Sequence, residues 1–503
     1  MTTVPVDLAV VGSGFAGSLL SLIARQIGLR VALLERGSHP RFALGESTTP
    51  LSNLILADLA RRYRLPRLFE RVHYGSWKRA RPDLRVGLKR GFTFFRHREG
   101  QPLGKGAFDR LLVEASDRDE VADVQWFRES FDEFLVGEAI RSGVFFLDRT
   151  EVELEKGGDP IRLVASREGE RYRLQARLLV DASGDGRFLG KAFSIPERAG
   201  ATKQRQASTV FGHFRDVKRI APVLERAGHP VGLFPFRCDD AAVHHIFDGG
   251  WMWHLRFDDG LVSAGFLFDQ SGGVDGADGD PRTVWKKWIS RFPTLWEIYR
   301  GAGAVGPVRR QERVCRFLER AAGPNWILLP HAAYFVDPLL SGGIPHSLSV
   351  VEQLGLLLEK GLSRTEFSEE LEGLGRQLLE EAEGLDELVY GCYRSFRRFD
   401  LFSSFVMHYF VAATSLEAAR RGKDCEANGA GFLRMRDGAF RKALKESSEE
   451  MENLLLGRAG AKNPEAFARG LAARLAPWNR EGFCNPSAGN LYRSPVRPRE
   501  VYV

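Results

Sequence analysis

Near the start of the chain, Gly12-Ser13-Gly14-Phe15-Ala16-Gly17 reads GxGxxG, and an acid, Glu35, closes the next apolar run. In that order the pattern suits a nucleotide. Gly12 allows a tight turn, Gly14 has no side chain to block a pyrophosphate, and Gly17 lets a helix pack close to its sheet. The helix that follows offers free N–H groups and a positive dipole end to phosphates. Glu35 can accept both hydroxyls of an adenosine ribose and would repel a 2′-phosphate. The elements needed to place these groups are present: a strand over Val6 to Val11, a helix over Ser18 to Ile27 and a second strand over Arg30 to Leu34. Another GxGxxG, Gly301 to Gly306, follows a helical stretch (Trp285 to Tyr299). It precedes Pro307 and a β-like run, Val308 to Phe317, so it reads as a loop.

Other groups with chemical potential are scattered. Gly45-Glu46-Ser47-Thr48-Thr49-Pro50 leads into a helical stretch, Asn53 to Tyr63, with Pro50 suited to its first turn. A strand over Arg177 to Val180 ends in Asp181-Ala182-Ser183-Gly184. Trp326 to Leu329 runs into Phe335 to Ile344, a Gly-rich turn that opens a helix over Ser347 to Leu358. Its N-terminus can hold an anion or a polar ring edge. Lys89 lies in a basic stretch with Lys78, Arg79, Arg81, Arg85 and Arg90. His244 and His245, adjacent on a strand, point to opposite faces and cannot share a metal. Cys238, Cys315, Cys392, Cys425 and Cys484 have no metal spacing and are odd in number. Neither a metal site nor a disulfide framework is expected.

The 503 residues, 44% hydrophobic and 27% charged, are enough for two or three domains and exclude a disordered or fibrous chain. The net charge of +7 is interspersed and reads as a solvated surface, without a nucleic-acid partner. Apolar stretches such as Leu19 to Ala24 and Phe405 to Ala413 fall short of the roughly 18 residues of a membrane span. The N-terminus has no basic leader, so a cytoplasmic protein without a membrane partner is expected.

From about residue 5 to about 360 the sequence resembles the flavin-dependent halogenases of the FAD monooxygenase superfamily, in the phenol and pyrrole branch. Phe335, Pro338, Ser341 and Gly343 match the FxxPxxSxG motif, and Gly45 to Thr48 match the flavin-facing turn. Arg128, in Trp126 to Asp132, matches an arginine that contacts FAD. Leu88 to Phe94 resembles the KxGxxF segment that carries the halogenase lysine. Trp251 to Arg256 resembles WxWxIP but ends Leu255-Arg256. Leu340 stands where tryptophan halogenases carry a glutamate.

The resemblance implies FAD, acting as FADH2, and a chloride or bromide ion. The adenosine end would lie against residues 12–17, Glu35, Arg36 and Arg41. The flavin end would lie against Gly45, Glu46, Ser47, Thr48, Arg128, Asp181, Gly184, Asp337, Pro338, Ser341, Gly342, Gly343 and Ile344. The backbone N–H groups of Gly342 and Gly343 would form the halide nest. In the family, O2 and reduced FAD give a C4a-hydroperoxide, the halide attacks it, and hypohalous acid travels to the substrate. Lys89 would orient that acid, its pKa lowered toward neutrality by burial. Phe92, Phe94, Trp251 and Trp253 would line the substrate pocket. A separate NAD(P)H flavin reductase would supply FADH2 to act on a small aromatic substrate, free or carrier-tethered. The altered WxWxIP end leaves a monooxygenase or dehydrogenase on the same fold as the alternative.

The expected fold is α/β. A Rossmann-type FAD-binding domain of the glutathione-reductase/hydroxylase kind spans 1–190 and 307–360. A β-rich substrate domain, 76–104 and 191–306, holds strands over Ser208 to Phe214, Val243 to Phe247, Trp251 to Phe257 and Leu261 to Phe268, joined by the Lys89 hairpin. A helical cap fills 361–503, with helices over Phe367 to Ala382, Leu388 to Ala413, Asp437 to Leu455 and Pro464 to Leu475. The tail, Pro477 to Val503, wraps the surface.

Overall fold

The first apolar run is continuous rather than alternating, as a strand buried on both faces requires. A computed structural model, describing residues 1–198, 207–269, 279–422, 429–458 and 463–494, seats it at the centre of a parallel sheet. Thr2–Val11 pairs with Glu170–Asp181 on one side and Val31–Leu34 on the other. Trp326–Leu328 and Phe145–Leu147 extend the parallel run at its two ends. The antiparallel strands Glu151–Lys156 and Ile161–Arg167 join it through Glu170–Asp181. Val11 registers with both Leu34 and Asp181. The C-terminal ends of three strands therefore meet at Gly12, Glu35 and Ala182, the crevice where open α/β sheets bind ligands.

The second sheet has eight strands, in the order Gly303–Gln311, Ala207–Arg215, Val262–Asp269, Gly250–Arg256, Ala242–Phe247, Gly91–Arg96, Arg110–Glu114, Leu491–Tyr492. Alternation along Gly91–Arg96 divides two cores. Phe92 and Phe94 join the core shared with the nucleotide sheet and the C-terminal helices. Phe95 joins a separate core under helices Pro281–Ser290 and Pro293–Tyr299.

Several expectations shift. Gly303 to Gly306 is strand rather than loop, and residues 307–311 belong to this second sheet, not to the nucleotide-binding domain. Arg110–Glu114 and Leu491–Tyr492 also enlarge it, so part of the tail is a paired strand. The Lys89 hairpin divides. Gly91–Arg96 enters the eight-stranded sheet, but Val86–Lys89 pairs with Asp123–Trp126 in a two-stranded sheet of its own. Arg90 marks the break: its N–H donates to the Asp240 carbonyl, and its side chain bonds Ser116, Asp119 and Glu114.

The C-terminal region is helical as expected, with different punctuation. Phe367–Ser395 is one 29-residue helix, followed by Phe399–Phe405 and Met407–Arg420. Phe399–Arg420 is long and apolar enough to cross a membrane, but 78% of its apolar window is buried inside the protein, as in a core helix. Cys425 lies outside the described residues.

Candidate active site

The glycine turn leaves no room for larger residues. Gly12 has φ +105°, and a Cβ there would overlap the Ala182 carbonyl oxygen, while one at Gly17 would overlap the Gly12 carbonyl oxygen. Beyond it, Glu35 Oε2 accepts from the N–H (3.0 Å) and Oγ (2.9 Å) of Ser13, and Oε1 accepts from the Gly37 N–H (2.9 Å). Burial alone would raise the Glu35 pKa. Arg41, at 3.2 Å, and the N–H groups of Gly37 and Ser13 more than offset this and hold it below the usual range. An ionised, preoriented acceptor at the end of the second strand suits a ribose diol.

Two guanidiniums face the turn. A Cβ on Gly14 would lie 3.7 Å from Arg128 Nη2 and 3.8 Å from Arg41 Nη2. Arg128 is held by a bidentate pair with Asp132, both bonds 2.8 Å, and by bonds to the carbonyls of Leu44 and Gly45. It opens helix Arg128–Arg141, as Phe15 opens helix Phe15–Gln26. A side-chain-free cradle, two fixed cations and an ionised ribose acceptor fit the pyrophosphate and adenosine of FAD. Arg36 is exposed, whereas Ala16 is partly buried and Phe15 lies under Arg128. Asp181 caps its own turn, accepting from the N–H groups of Ser183 (2.9 Å) and Leu189 (2.7 Å); Gly184 supplies a φ of +56° there.

The two flavin-side motifs come together although they lie some 294 residues apart: Ser341 Oγ is 3.3 Å from Ser47 Oγ. After the short helix Pro338–Leu340, Ser341 is left-handed (φ 52°) and Gly342 right-handed, and helix Gly343–Lys360 begins. This alternation turns successive N–H groups toward one point, the geometry of an anion nest. Nothing lies within 4 Å of where a Gly342 Cβ would be, whereas a Gly343 Cβ would come within 2.9 Å of His331 Nε2. Ile344 is buried behind them. Desolvation, with Arg128 and Arg316 nearby, drives the His331 pKa down to about 4, so the ring is neutral. On the other turn, Glu46 Oε1 lies 3.2 Å from His213 Nε2 of the second sheet. Thr48 is clamped to Val124 through its N–H, carbonyl-facing Oγ1 and the Val124 N–H.

Lys89 is wholly buried. Its Nζ donates to the Thr48 carbonyl and lies 4.0 Å from the Phe92 ring centroid. Asp123 is its cross-strand neighbour and accepts from Asn53 Nδ2 at 2.9 Å. Burial pushes the Lys89 pKa down to about 8 against the opposing pull of Asp123. Next to it, beyond the Phe92 ring, an open pocket is lined by Phe92, Val113, Tyr409, Phe410 and Phe483, with Glu114, Glu417, Glu481 and Arg493 as its charged groups.

Residues 7–266, more than half of the chain, match the family model described as FAD dependent oxidoreductase. The chain belongs to that family. Within it, this oxidoreductase stands with the flavin-dependent halogenases. It is 28% identical over 426 residues to the tetracycline 7-halogenase of Kitasatospora aureofaciens, covering 83% of this chain and 74% of that protein. It is equally identical over 410 residues to the monodechloroaminopyrrolnitrin halogenase PrnC of Pseudomonas fluorescens, covering 79% and 70%. The crystal structure of halogenase PltM in complex with phloroglucinol and FAD shares its fold at a TM-score of 0.86 and 21% identity, over 97% of this chain and 99% of that one.

Other expected site residues of the oxidoreductase lie elsewhere. Phe94 does not line the described cavity. It is fully buried and stacks on His244 at 4.4 Å, with Phe402 edge-on at 5.4 Å, because the cap helices fill the space before it. Trp251 is also core, and Trp253 packs on Phe211 and donates to Ser263 Oγ. The carboxylate of Asp337 is spent inside the protein on Trp251, Tyr393 and the Leu339 N–H. Arg256, the departure from WxWxIP, donates to the carbonyls of Val217 and Lys218 and ties the sheet to its neighbouring loop. Asp123, Asn53, His331 and Tyr409 were missed. Only Asp123 left a local signal, a carboxylate that alternates, with Gln125, against Val124 and Trp126.

Proposed function

We propose that this oxidoreductase halogenates an electron-rich phenolic or pyrrolic ring, free or carrier-tethered, with chloride or bromide as halogen source. Bound FADH2 would supply the means by which O2 oxidises the halide to hypohalous acid. The protein's part is to hold, exclude and aim. Residues 12–17, Glu35, Arg41 and Arg128 bind the dinucleotide, and the N–H groups of Gly342 and Gly343 hold the halide. The dry surroundings of Lys89 keep hypohalous acid from bulk water. Below its pKa of about 8, the Lys89 ammonium donates a hydrogen bond to that acid and presents the halogen to a ring in the cavity beyond Phe92. Phenols and pyrroles lose their own proton in the substitution, so no carboxylate is needed where buried Leu340 stands.

One observation carries the reading. A fully buried amine is fastened to Thr48, and the next residue back, Ser47, touches Ser341 beside the anion nest. The relatives support it: one acts on tetracycline, another on monodechloroaminopyrrolnitrin, and a third is a 1H-pyrrole-2-carbonyl-[peptidyl-carrier protein] chlorinase of Pseudomonas fluorescens at 23% identity. The reading includes a separate NAD(P)H flavin reductase as the source of FADH2 and a cytoplasmic location. The test supplies enzyme, FAD, a flavin reductase, NADH, O2 and bromide to a panel of phenols and pyrroles. Products should show the bromine isotope doublet and depend on bromide. Oxygenated products that form equally well without halide would replace this reading with a monooxygenase.

A further inference from the structure

We infer that Gln125 is a further catalytic residue, whose side-chain amide holds the oxidised halogen between the flavin-facing turn and Lys89. The inference rests on the halogenation proposed above. Gln125 is completely buried, and neither Oε1 nor Nε2 has a hydrogen-bond partner among the described residues. Buried amides are almost always paired. One left open at both ends, beside a reaction path, calls for a partner that arrives from outside the protein.

Its position names that partner. Ser47 stands opposite Gln125, in a pair flanked by the backbone bonds Trp126 N–H to Glu46 (2.7 Å) and Thr48 N–H to Val124 (3.1 Å). In a pair of this non-hydrogen-bonded type the two side chains share a face and lie close. On its other side Gln125 pairs with Gly87, two residues before Lys89. Lys89 is therefore a diagonal neighbour on the same face, with Cα atoms about 7–8 Å away. With Ser47 Oγ at 3.3 Å from Ser341 Oγ, a row of polar groups runs Ser341, Ser47, Gln125, Lys89. It starts at the anion nest and ends at the amine. Gly87 adds no side chain to this row, and a Cβ there would press within 2.9 Å of the Gln125 Cβ.

Hypohalous acid carries one O–H donor and an acceptor oxygen. A primary amide answers both, its carbonyl accepting the O–H and its N–H donating to the oxygen. A bare halide could use only the donor half. No bond to the halogen forms or breaks at the amide, and no proton is transferred. Gln125 passes an intact neutral molecule toward Lys89.

The test compares the full chain with Gln125→Leu and Gln125→Asn. Each enzyme receives FAD, a flavin reductase, NADH, O2, bromide and a panel of phenol and pyrrole rings, together with monochlorodimedone in the surrounding solution. The readout is how oxidised bromine divides between the rings and monochlorodimedone per O2 consumed. Melting temperature and FAD affinity report folding. Gln125→Leu should shift the division about tenfold toward monochlorodimedone, the size of one lost hydrogen bond, and Gln125→Asn should fall between. If Gln125→Leu does not fold, Gln125→Asn decides, because shortening the amide should still produce leakage. A division equal to the native one in the folded variant overturns the role of Gln125 alone. A native enzyme that brominates neither acceptor overturns the halogenation reading and this inference with it.

Discussion

Trp251 Nε1 donates to Asp337 Oδ1 at 3.2 Å, joining the eight-stranded sheet to the turn that opens the Gly343–Lys360 helix. Tyr393 of the long cap helix donates to Oδ2 at 2.6 Å, and Trp251 Nε1 lies 2.9 Å from the Tyr393 oxygen. One buried carboxylate thus ties together the nest, the sheet and the cap. Burial raises the Asp337 pKa to about 7, although bonds from Tyr393, the Leu339 N–H and Trp251 pull it down.

That shift predicts a pH dependence. The folded state binds the Asp337 proton more tightly than the unfolded chain, whose aspartate titrates near 3.9. Stability from this group is full below about pH 4 and is lost as pH rises through about 7. Asp337→Asn keeps the shape without the charge. Its melting temperature should exceed the native value at pH 8 by about 2 °C or more, the gap narrowing as pH falls toward about 4. Parallel curves across this range would show that Asp337 is ionised without cost.

Lys89 gives the opposite sign. Its folded pKa of about 8 lies below the unfolded value near 10.4, so the unfolded chain binds more protons between the two. Native stability should therefore rise with pH across that window. Lys89→Met removes a buried amine while keeping its length. The variant should melt above the native protein at pH 7, the gap closing toward pH 10. Halogenated product should fall by about 100-fold or more, with FAD affinity unchanged. A variant that still halogenates at the native rate would remove Lys89 from the chemistry.

Arg128 and Arg36 make a contrast in cofactor binding. Arg128 faces the glycine turn, and Arg36, expected from sequence to share the task, is exposed. Arg128→Lys loses the bidentate bond to Asp132 and leaves that carboxylate buried beside the pyrophosphate position. FAD affinity should weaken by about 10- to 100-fold, followed by flavin fluorescence titration. Arg36→Ala should leave it within about twofold, since a lone exposed charge is worth little. Equal effects would mean that the guanidinium of Arg128 is not over the phosphates.

The nucleotide turn was legible because its chemistry is local. Gly12, Gly17 and Glu35 act within one βαβ unit, and each glycine is fixed by a backbone approach that spacing alone encodes. The pairing of Ser47 with Ser341 could be expected only from the family resemblance, because nothing in either motif names the other. Strand membership was read poorly. Val86–Lys89 and Gly91–Arg96 look like one hairpin, and what separates them is the anchoring of Arg90 to Ser116 and Asp240 far along the chain. Phe92 and Phe94 share a face, so alternation could not tell which one borders a cavity. Tyr409, Phe410 and Phe402, from helices some 300 residues later, decide it.

The cavity beside Phe92 supplies the last expectation. Thr414 lines it, and its hydroxyl is spent on the Phe410 carbonyl of its own helix, so losing that group costs the fold little. Thr414→Trp places an indole in the open pocket bordered by Phe92 and Tyr409. If the substrate ring lies there, its KM should rise about tenfold or more, because the lost volume is apolar contact area that the ring would otherwise bury. FAD affinity and the O2 consumed without substrate should stay at native values, since Thr414 touches neither the glycine turn nor the nest. A tryptophan at exposed Leu456 serves as the control for a bulky residue elsewhere. An unchanged KM in Thr414→Trp, with melting temperature intact, would move the ring out of this cavity. It would leave Phe92 as a wall of the amine's chamber and not of the substrate's.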